Sequence, residues 1–167
     1  MGINANTTAG MNVKYAIEST AGTKPATTTE WTVIPGVKAI PAFGTDIPTA
    51  QSTPLSATKN HTYEKLLRDS GGAINLTVND ATTFRTAWDD MLDDYETAAA
   101  AGKALWVEYA YPEGSGLDSF YYPAEPAPYG FGGAEVDAIL ENEAAFLPIG
   151  DYEFAAPSAD PTPGVGP

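Results

Sequence analysis

The chain contains no cysteine in its 167 residues, so neither disulfides nor thiolate metal sites can enter the explanation of its fold. Basic residues are also scarce, with 8 Lys and Arg against 22 Asp and Glu, for a net charge of -14. Nucleic-acid binders neutralise phosphates with Lys and Arg, so this balance excludes that class and repels anionic membranes. Histidine occurs once, as His61, so any Ser-His-Asp triad would have to be built on a single residue in a Pro-rich polar stretch. The expectation there is a loop histidine with no role. Long apolar runs are missing too: no segment approaches the ~18 residues of a membrane span, and the N-terminus has no basic region leading into an apolar core. The expected compartment is a cytoplasm, so the sequons at Asn6, Asn60 and Asn75 are not expected to be glycosylated.

The chain length suits one domain with a sizeable core. From Thr82 to Ala101, Phe84, Ala87, Trp88, Met91, Leu92, Tyr95 and Ala98 recur at three- and four-residue steps. This predicts an amphipathic helix, with Asn79, Asp80 or Thr82 as its cap and Gly102 as its left-handed stop. Strands are expected at Ala73 to Val78, Leu105 to Tyr109, Phe120 to Pro123 and Tyr152 to Phe154. A strand pair or kinked strand is expected around Pro35-Gly36, between Trp31 and Ile40. Six to eight strands around one helix imply a mainly β fold, an antiparallel two-sheet sandwich or barrel.

Residues 1–12 read as an N-terminal arm, 13–154 as the β-sandwich domain, and 155–167 as a Pro/Gly/Ala tail too poor in apolar groups to order itself. Between Pro41 and Gly72 the periodic pattern lapses for more than thirty residues, the length of a functional or disordered loop. That segment is expected to contribute little core, so that its deletion leaves a folded monomer.

From Ala134 to Pro148 the sequence alternates, with Val136, Ala138, Leu140, Ala144 and Phe146 on one side and Glu135, Asp137, Glu141 and Glu143 on the other. Period-2 alternation predicts one long strand with an apolar face and a carboxylate face.

Catalytic readings are weak. Asp89-Asp90 and Asp93-Asp94 fall on the helix face away from the apolar stripe and lack the spacing of a calcium loop. The strand carboxylates could imitate a glycosidase pair beside Trp106 and Tyr109, but strand alternation explains those residues without a substrate. Gly130 to Gly133 is a turn-rich linker, not a phosphate loop. Phe120-Tyr121-Tyr122 and Tyr129 suit an interface or a core equally. No catalytic, cofactor-binding or metal residue is expected.

The order of parts carries a resemblance. Val13-Lys14-Tyr15-Ala16-Ile17-Glu18-Ser19-Thr20-Ala21-Gly22-Thr23-Lys24-Pro25, followed by Trp31-Thr32-Val33-Ile34-Pro35-Gly36-Val37-Lys38-Ala39-Ile40-Pro41, resembles the opening of major tail tube proteins of long, flexible-tailed (siphovirus-type) bacteriophages. Phe84-Arg85-Thr86-Ala87-Trp88, Gly102-Lys103-Ala104-Leu105-Trp106-Val107-Glu108 and Pro123-Ala124-Glu125-Pro126 continue it, so that it covers Val13 to Gly150. The resemblance implies a virion structural protein, assembled in the host cytoplasm, whose copies form hexameric rings stacked into a tail tube.

On that resemblance the partners are further copies, with tape-measure, tail terminator and baseplate or tail-tip proteins, and viral DNA passing through without specific binding. Glu135, Asp137, Glu141 and Glu143 would line the lumen. Pro48, Leu55, His61, Tyr63, Leu66, Leu67 and Arg68 would serve as an inter-subunit loop. The alternatives are a tail terminator or head-tail connector of related fold, a carbohydrate-binding or adhesive β-sandwich, and a carboxylate hydrolase.

Overall fold

Alternating apolar residues dominate the strands, and the computed structural model shows where each face goes. It describes residues 10–44, 49–52, 63–65 (backbone only), 72–112 and 114–159. The strands are β1 (Asn12–Ile17), β2 (Thr32–Val33), β3 (Val37–Ala39), β4 (Thr49–Gln51), β5 (Tyr63–Lys65) and β6 (Ile74–Asn79). After the helix α1 (Thr82–Ala100) come β7 (Leu105–Ala110), β8 (Ser119–Pro126), β9 (Glu141–Pro148) and β10 (Glu153–Ala155).

All pairings are antiparallel. Eight strands form one curled sheet in the order β2-β1-β7-β8-β9-β6-β3, with β10 added on β8. Among the described residues the fold is thus mainly β with a single helix, as the sequence implies.

The curl has two local causes. β8 divides one edge between two partners, since its first residues pair with β10 and its last with β9. Pro123 stands at the division, where its missing N–H costs no ladder bond to either neighbour, and the Ile149 N–H donates to its carbonyl at 3.0 Å. Secondly, only Ile34, Pro35 and Gly36 separate β2 from β3, although these lie at opposite ends of the strand order. The kink expected at Pro35-Gly36 therefore draws the two edges together. Gly36 adopts φ +79°, a left-handed conformation that glycine tolerates without penalty.

The concave side holds the main core. Val13, Tyr15, Leu76, Val78, Leu105, Val107, Tyr122, Ala144 and Phe146 pack there with Phe84, Trp88 and Met91 of α1. The helix begins and ends within a residue of the expected bounds, but Ala81 occupies the N-cap and makes no side-chain cap bond. Asp80 instead accepts from Arg85 Nε and Nη2, at 2.5 and 2.6 Å. At the far end Gly102 (φ +71°) donates to Ala99 O and Lys103 to Ala98 O, the paired closure typical of a glycine-terminated helix. The Trp88 indole donates to Ala127 O at 3.0 Å, tying α1 to the segment after β8.

The convex side of β1, β7 and β8 is buried as well. Ala16, Trp31 and Tyr121 form a second cluster, with Trp106 and Ala155 packed on it. Beside it the C-terminal segment folds back: Ser158 is buried and bonded to the sheet, and Ala159 N donates to Thr27 O. Residues 155–159 thus belong to the folded body, contrary to the tail expected from Ala155. Burial of a few polar contacts, rather than apolar content, holds them.

Two further expectations change. The alternation of residues 134–148 does not make one strand, because β9 starts only at Glu141. Residues 134–140 are exposed loop with a turn at Val136-Asp137, where Asp137 takes φ +63°, a conformation Asp tolerates better than most residues. Within 41–72, β4 and β5 form a separate two-stranded hairpin, and Phe43 packs against Phe120, Tyr122 and Tyr152. The long segment therefore does contribute core, at its start.

Candidate assembly surface

The surface with most chemistry of its own is the outer face of β6 and β9 together with the loop that precedes β9. Along β9, Asn142, Ala144, Phe146 and Pro148 are buried, while Glu143 and Leu147 are exposed and Glu141 and Ala145 half-buried. In register, Glu143 stands opposite Thr77 and Glu141 opposite Asn79. Glu141 forms an ion pair with Lys38 of β3, on the far side of β6. Two of the four acids read from the sequence, Glu141 and Glu143, thus share an outward sheet face. Glu135 and Asp137 lie off it, in the loop.

That loop is anchored at its base. Ala127 N donates to Ala145 O, and Asp80 N to Leu140 O, each at 2.9 Å. The buried Asn142 side chain donates to Gly130 O at 2.6 Å. Gly132 lies so close to β9 that a Cβ would stand 2.1 Å from Glu141 O. Glycine is required there because backbone meets backbone. An open groove of about 620 Å³ runs between Phe131 and Gly132 on one side and Asn75, Thr77 and Glu143 on the other.

From this base four large apolar side chains project outward: Phe131 (80% exposed), Val136 (92%), Ile139 (73%) and Leu140 (42%). Single exposed apolar residues are ordinary; four within ten residues make this loop the candidate interaction surface. The sequence contained a signal for it. A phenylalanine between glycines, in Gly130-Phe131-Gly132-Gly133, suits a projecting loop better than a core strand.

Of the expected inter-subunit loop, Pro48, Leu55, His61, Leu66, Leu67 and Arg68 lie outside the described residues. Tyr63 opens β5, where the backbone alone is described. Phe120, Tyr121 and Tyr122 are buried in the domain's own cores, and Tyr129 packs against Phe84, so the core reading holds for the aromatic run. Asp89, Asp90, Asp93, Asp94 and Glu96 are exposed on α1. Asp94 accepts from the Tyr15 hydroxyl at 3.3 Å.

No protein-family model and no curated protein matches the sequence. Solved structures do match its fold. A chain of the anti-feeding prophage baseplate, determined by cryo-electron microscopy with six-fold symmetrisation, superposes at a TM-score of 0.64 and 13% identity, covering 93% of this chain and 98% of that one. A chain from the tail of the empty gene transfer agent particle, from helical refinement with C6 symmetry, gives 0.54 at 15% identity, over 91% of this chain and all of that one. A chain of the native gene transfer agent virion gives 0.53 at 15% identity over the same share. At these identities the likeness is one of fold.

Proposed function

We propose that this chain is a non-enzymatic structural subunit of a phage-type tail, polymerising as hexameric rings stacked into a tube through which the genome passes. The observation that carries this reading is the end-to-end match to chains of tail assemblies refined with six-fold symmetry. The matches span 93% and 91% of this chain and 98% and 100% of the two matched chains.

Physical features support it. Among the described residues no further strand pairs with β2 or β3 at the ends of the sheet, and exposed edges are a liability that pairing with a neighbouring copy removes. The hairpin β4–β5 stands apart from the eight-stranded sheet, and an isolated two-stranded hairpin is marginal in water without something to pack on. It is the element through which residues 41–72 reach the next copy. Glu141 and Glu143, facing the channel, would repel phosphate and let DNA slide. The partners are the tape-measure, terminator and baseplate or tail-tip proteins, the location is the virion tail, and assembly takes place in the host cytoplasm.

A second reading has an observation of its own. The baseplate chain gives a higher TM-score than the gene transfer agent chains, which favours a ring at the tail's end over a repeating tube subunit. Electron microscopy of the concentrated protein separates the two. Hollow tubes are expected for a tube subunit and isolated six-membered rings for an end ring. A monomer at every concentration, or one that binds glycans, overturns both.

A further inference from the structure

We infer that residues 153–159 form a strap that opens as a unit from an otherwise closed domain, and that by closing it keeps the β8 edge at Ser119, Phe120 and Tyr121 from pairing with a second copy. This does not depend on the tail reading above.

The strap lies on the sheet through polar contacts. β10 pairs Glu153, Phe154 and Ala155 with Tyr121, Phe120 and Ser119. Beyond it, Ala156 O lies 2.7 Å from the Tyr121 hydroxyl, Ser158 donates to Glu108 through both its N–H and its hydroxyl, and Lys14 Nζ donates to the Ser158 hydroxyl at 3.2 Å. On its outer side Glu153 pairs with Lys24, and Ala159 N donates to Thr27 O at 3.1 Å. Of the seven residues Ser158 alone is buried, and Phe154 is 59% exposed. None of them belongs to the main core.

Such a segment separates easily from the domain. Lifting it exposes little apolar surface, so the hydrophobic cost is small, and the part-exposed Lys24–Glu153 pair adds little. The bonds to Glu108 are lost. Lys14 and Glu108, kept from water while the strap is closed, regain the hydration whose loss is the main cost of a buried charge pair. Segments with few buried apolar contacts open at free energies well below that of global unfolding. The connection to β9 allows this. Ile149 to Tyr152 place four residues between Pro148, opposite Ala124, and Glu153, opposite Tyr121, where β8 has only Tyr122 and Pro123. Because β9 and β10 use separate stretches of one β8 edge, the pairing of β9 with β6 and with Ala124, Glu125 and Pro126 survives when β10 lifts. Lifting uncovers a strand edge, which templates pairing with another chain unless a segment covers it. The strap is that cover.

Hydrogen exchange on the full wild-type chain tests the opening. The Ser158 and Ala159 amides, both bonded in the closed strap, are expected to exchange about 100-fold faster than amides in the middle of β6 and β9, at a rate that varies little with urea below the unfolding transition, since local opening exposes little surface. Equal rates, or a dependence on urea as steep as that of global unfolding, overturn the inference. An engineered disulfide tests the cover. Ser119→Cys with Ala155→Cys joins two register partners within reach of a disulfide, in a chain with no other cysteine. Oxidised and reduced forms, both folded by circular dichroism, are compared by sedimentation velocity at a concentration where each is monomeric without urea, then in urea just below the transition. The reduced form is expected to associate and the oxidised form to stay monomeric. Association of both alike, or of neither, overturns the guarding role. A wild type that never forms rings or tubes overturns the tail reading and leaves these comparisons standing.

Discussion

Lys14 and Glu108 stand directly opposite each other in the β1–β7 register, and both are essentially inaccessible to solvent. Ser158 joins them: its hydroxyl accepts from Lys14 Nζ at 3.2 Å and donates to Glu108 Oε2, while its N–H donates to Glu108 Oε1 at 3.0 Å. The Tyr121 hydroxyl lies 3.0 Å from Glu108 Oε1 and 2.7 Å from Ala156 O, and donates its one proton to one of them. The C-terminal segment is thus pinned to the sheet by charge-assisted bonds. Removing one partner strands the other charge. Lys14→Met is expected to cost about 3–5 kcal/mol in urea unfolding, whereas Lys14→Met with Glu108→Leu recovers most of it. Ser158→Ala is expected to cost about 1–3 kcal/mol. Additive single and double losses would show that the two charges do not act as a unit.

Alkaline pH tests the buried phenols. Burial, and then the Asp94 carboxylate, push Tyr15 up to about 12. Burial likewise raises Tyr109, Tyr121 and Tyr122, the last two further through Glu108 and Tyr109 respectively. A raised tyrosine favours the neutral form in the fold, so this stability is complete below about pH 10 and is lost as pH rises towards 12 and beyond. Four of the nine tyrosines are therefore expected to ionise only together with loss of near-ultraviolet circular dichroism. A smooth titration of all nine in the folded protein would refute this.

The acid side has the opposite sign. Burial raises the Glu18 carboxyl, but bonds from the Trp106 indole (2.9 Å), Ala104 N–H (3.0 Å) and Gly22 N–H (2.8 Å) outweigh it and leave it below its ordinary value. The Arg85 hydrogen bond holds Asp80 low as well. Stability from both is present above the ordinary carboxylate range and falls as pH drops through it. Glu18→Gln is expected to flatten the acid limb of the unfolding curve, measured by urea midpoint against pH, while leaving the alkaline limb unchanged.

Gly132 tests the anchoring of the projecting loop. A Cβ there meets Glu141 O at 2.1 Å and Asn142 Cα at 2.8 Å, both backbone atoms that cannot swing aside. Gly132→Ala is expected to cost about 1–3 kcal/mol and to detach the loop. Proteolysis between residues 127 and 140 should then become faster than in wild type. Equal cleavage rates would mean that the loop does not depend on this contact.

The parts of the fold legible in the sequence were those set by local rules. The helix stripe, the Gly102 stop, the kink at Pro35-Gly36 and the two faces of Leu105 to Tyr109 each follow from period or from glycine and proline chemistry. What failed was non-local. The alternation of 134–140 continues in phase with β9, so periodicity cannot show that the chain turns at Asp137 and leaves Val136 in solvent. Ser158 is buried through a carboxylate fifty residues away, and no composition rule reports such a partner. Of the four acids expected on one strand face, Glu141 and Glu143 are there because their segment pairs with β6. Glu135 and Asp137 are not, because theirs pairs with nothing comparable.

The described residues between Pro41 and Gly72 include one that packs on the core, Phe43, and a hairpin, β4–β5, that pairs only with itself. Phe43 stacks on Tyr122 at 5.9 Å and meets Phe120 and Tyr152 edge-on at 5.6 and 5.8 Å. Its truncation to alanine is expected to cost about 3 kcal/mol, the lower end of the range for a buried phenylalanine, because it is only partly buried. Replacing residues 50–64 with a short Gly/Ser linker removes the β4–β5 hairpin, which adds no pairing to the main sheet. That variant is expected to unfold within about 1 kcal/mol of wild type, since loop length alters closure entropy only slowly, and to fail to assemble. The two losses are therefore separable, with Phe43→Ala lowering the urea midpoint and the linker variant lowering the sedimentation coefficient. A linker variant that unfolds like Phe43→Ala would place the hairpin in the core and remove it from the assembly surface.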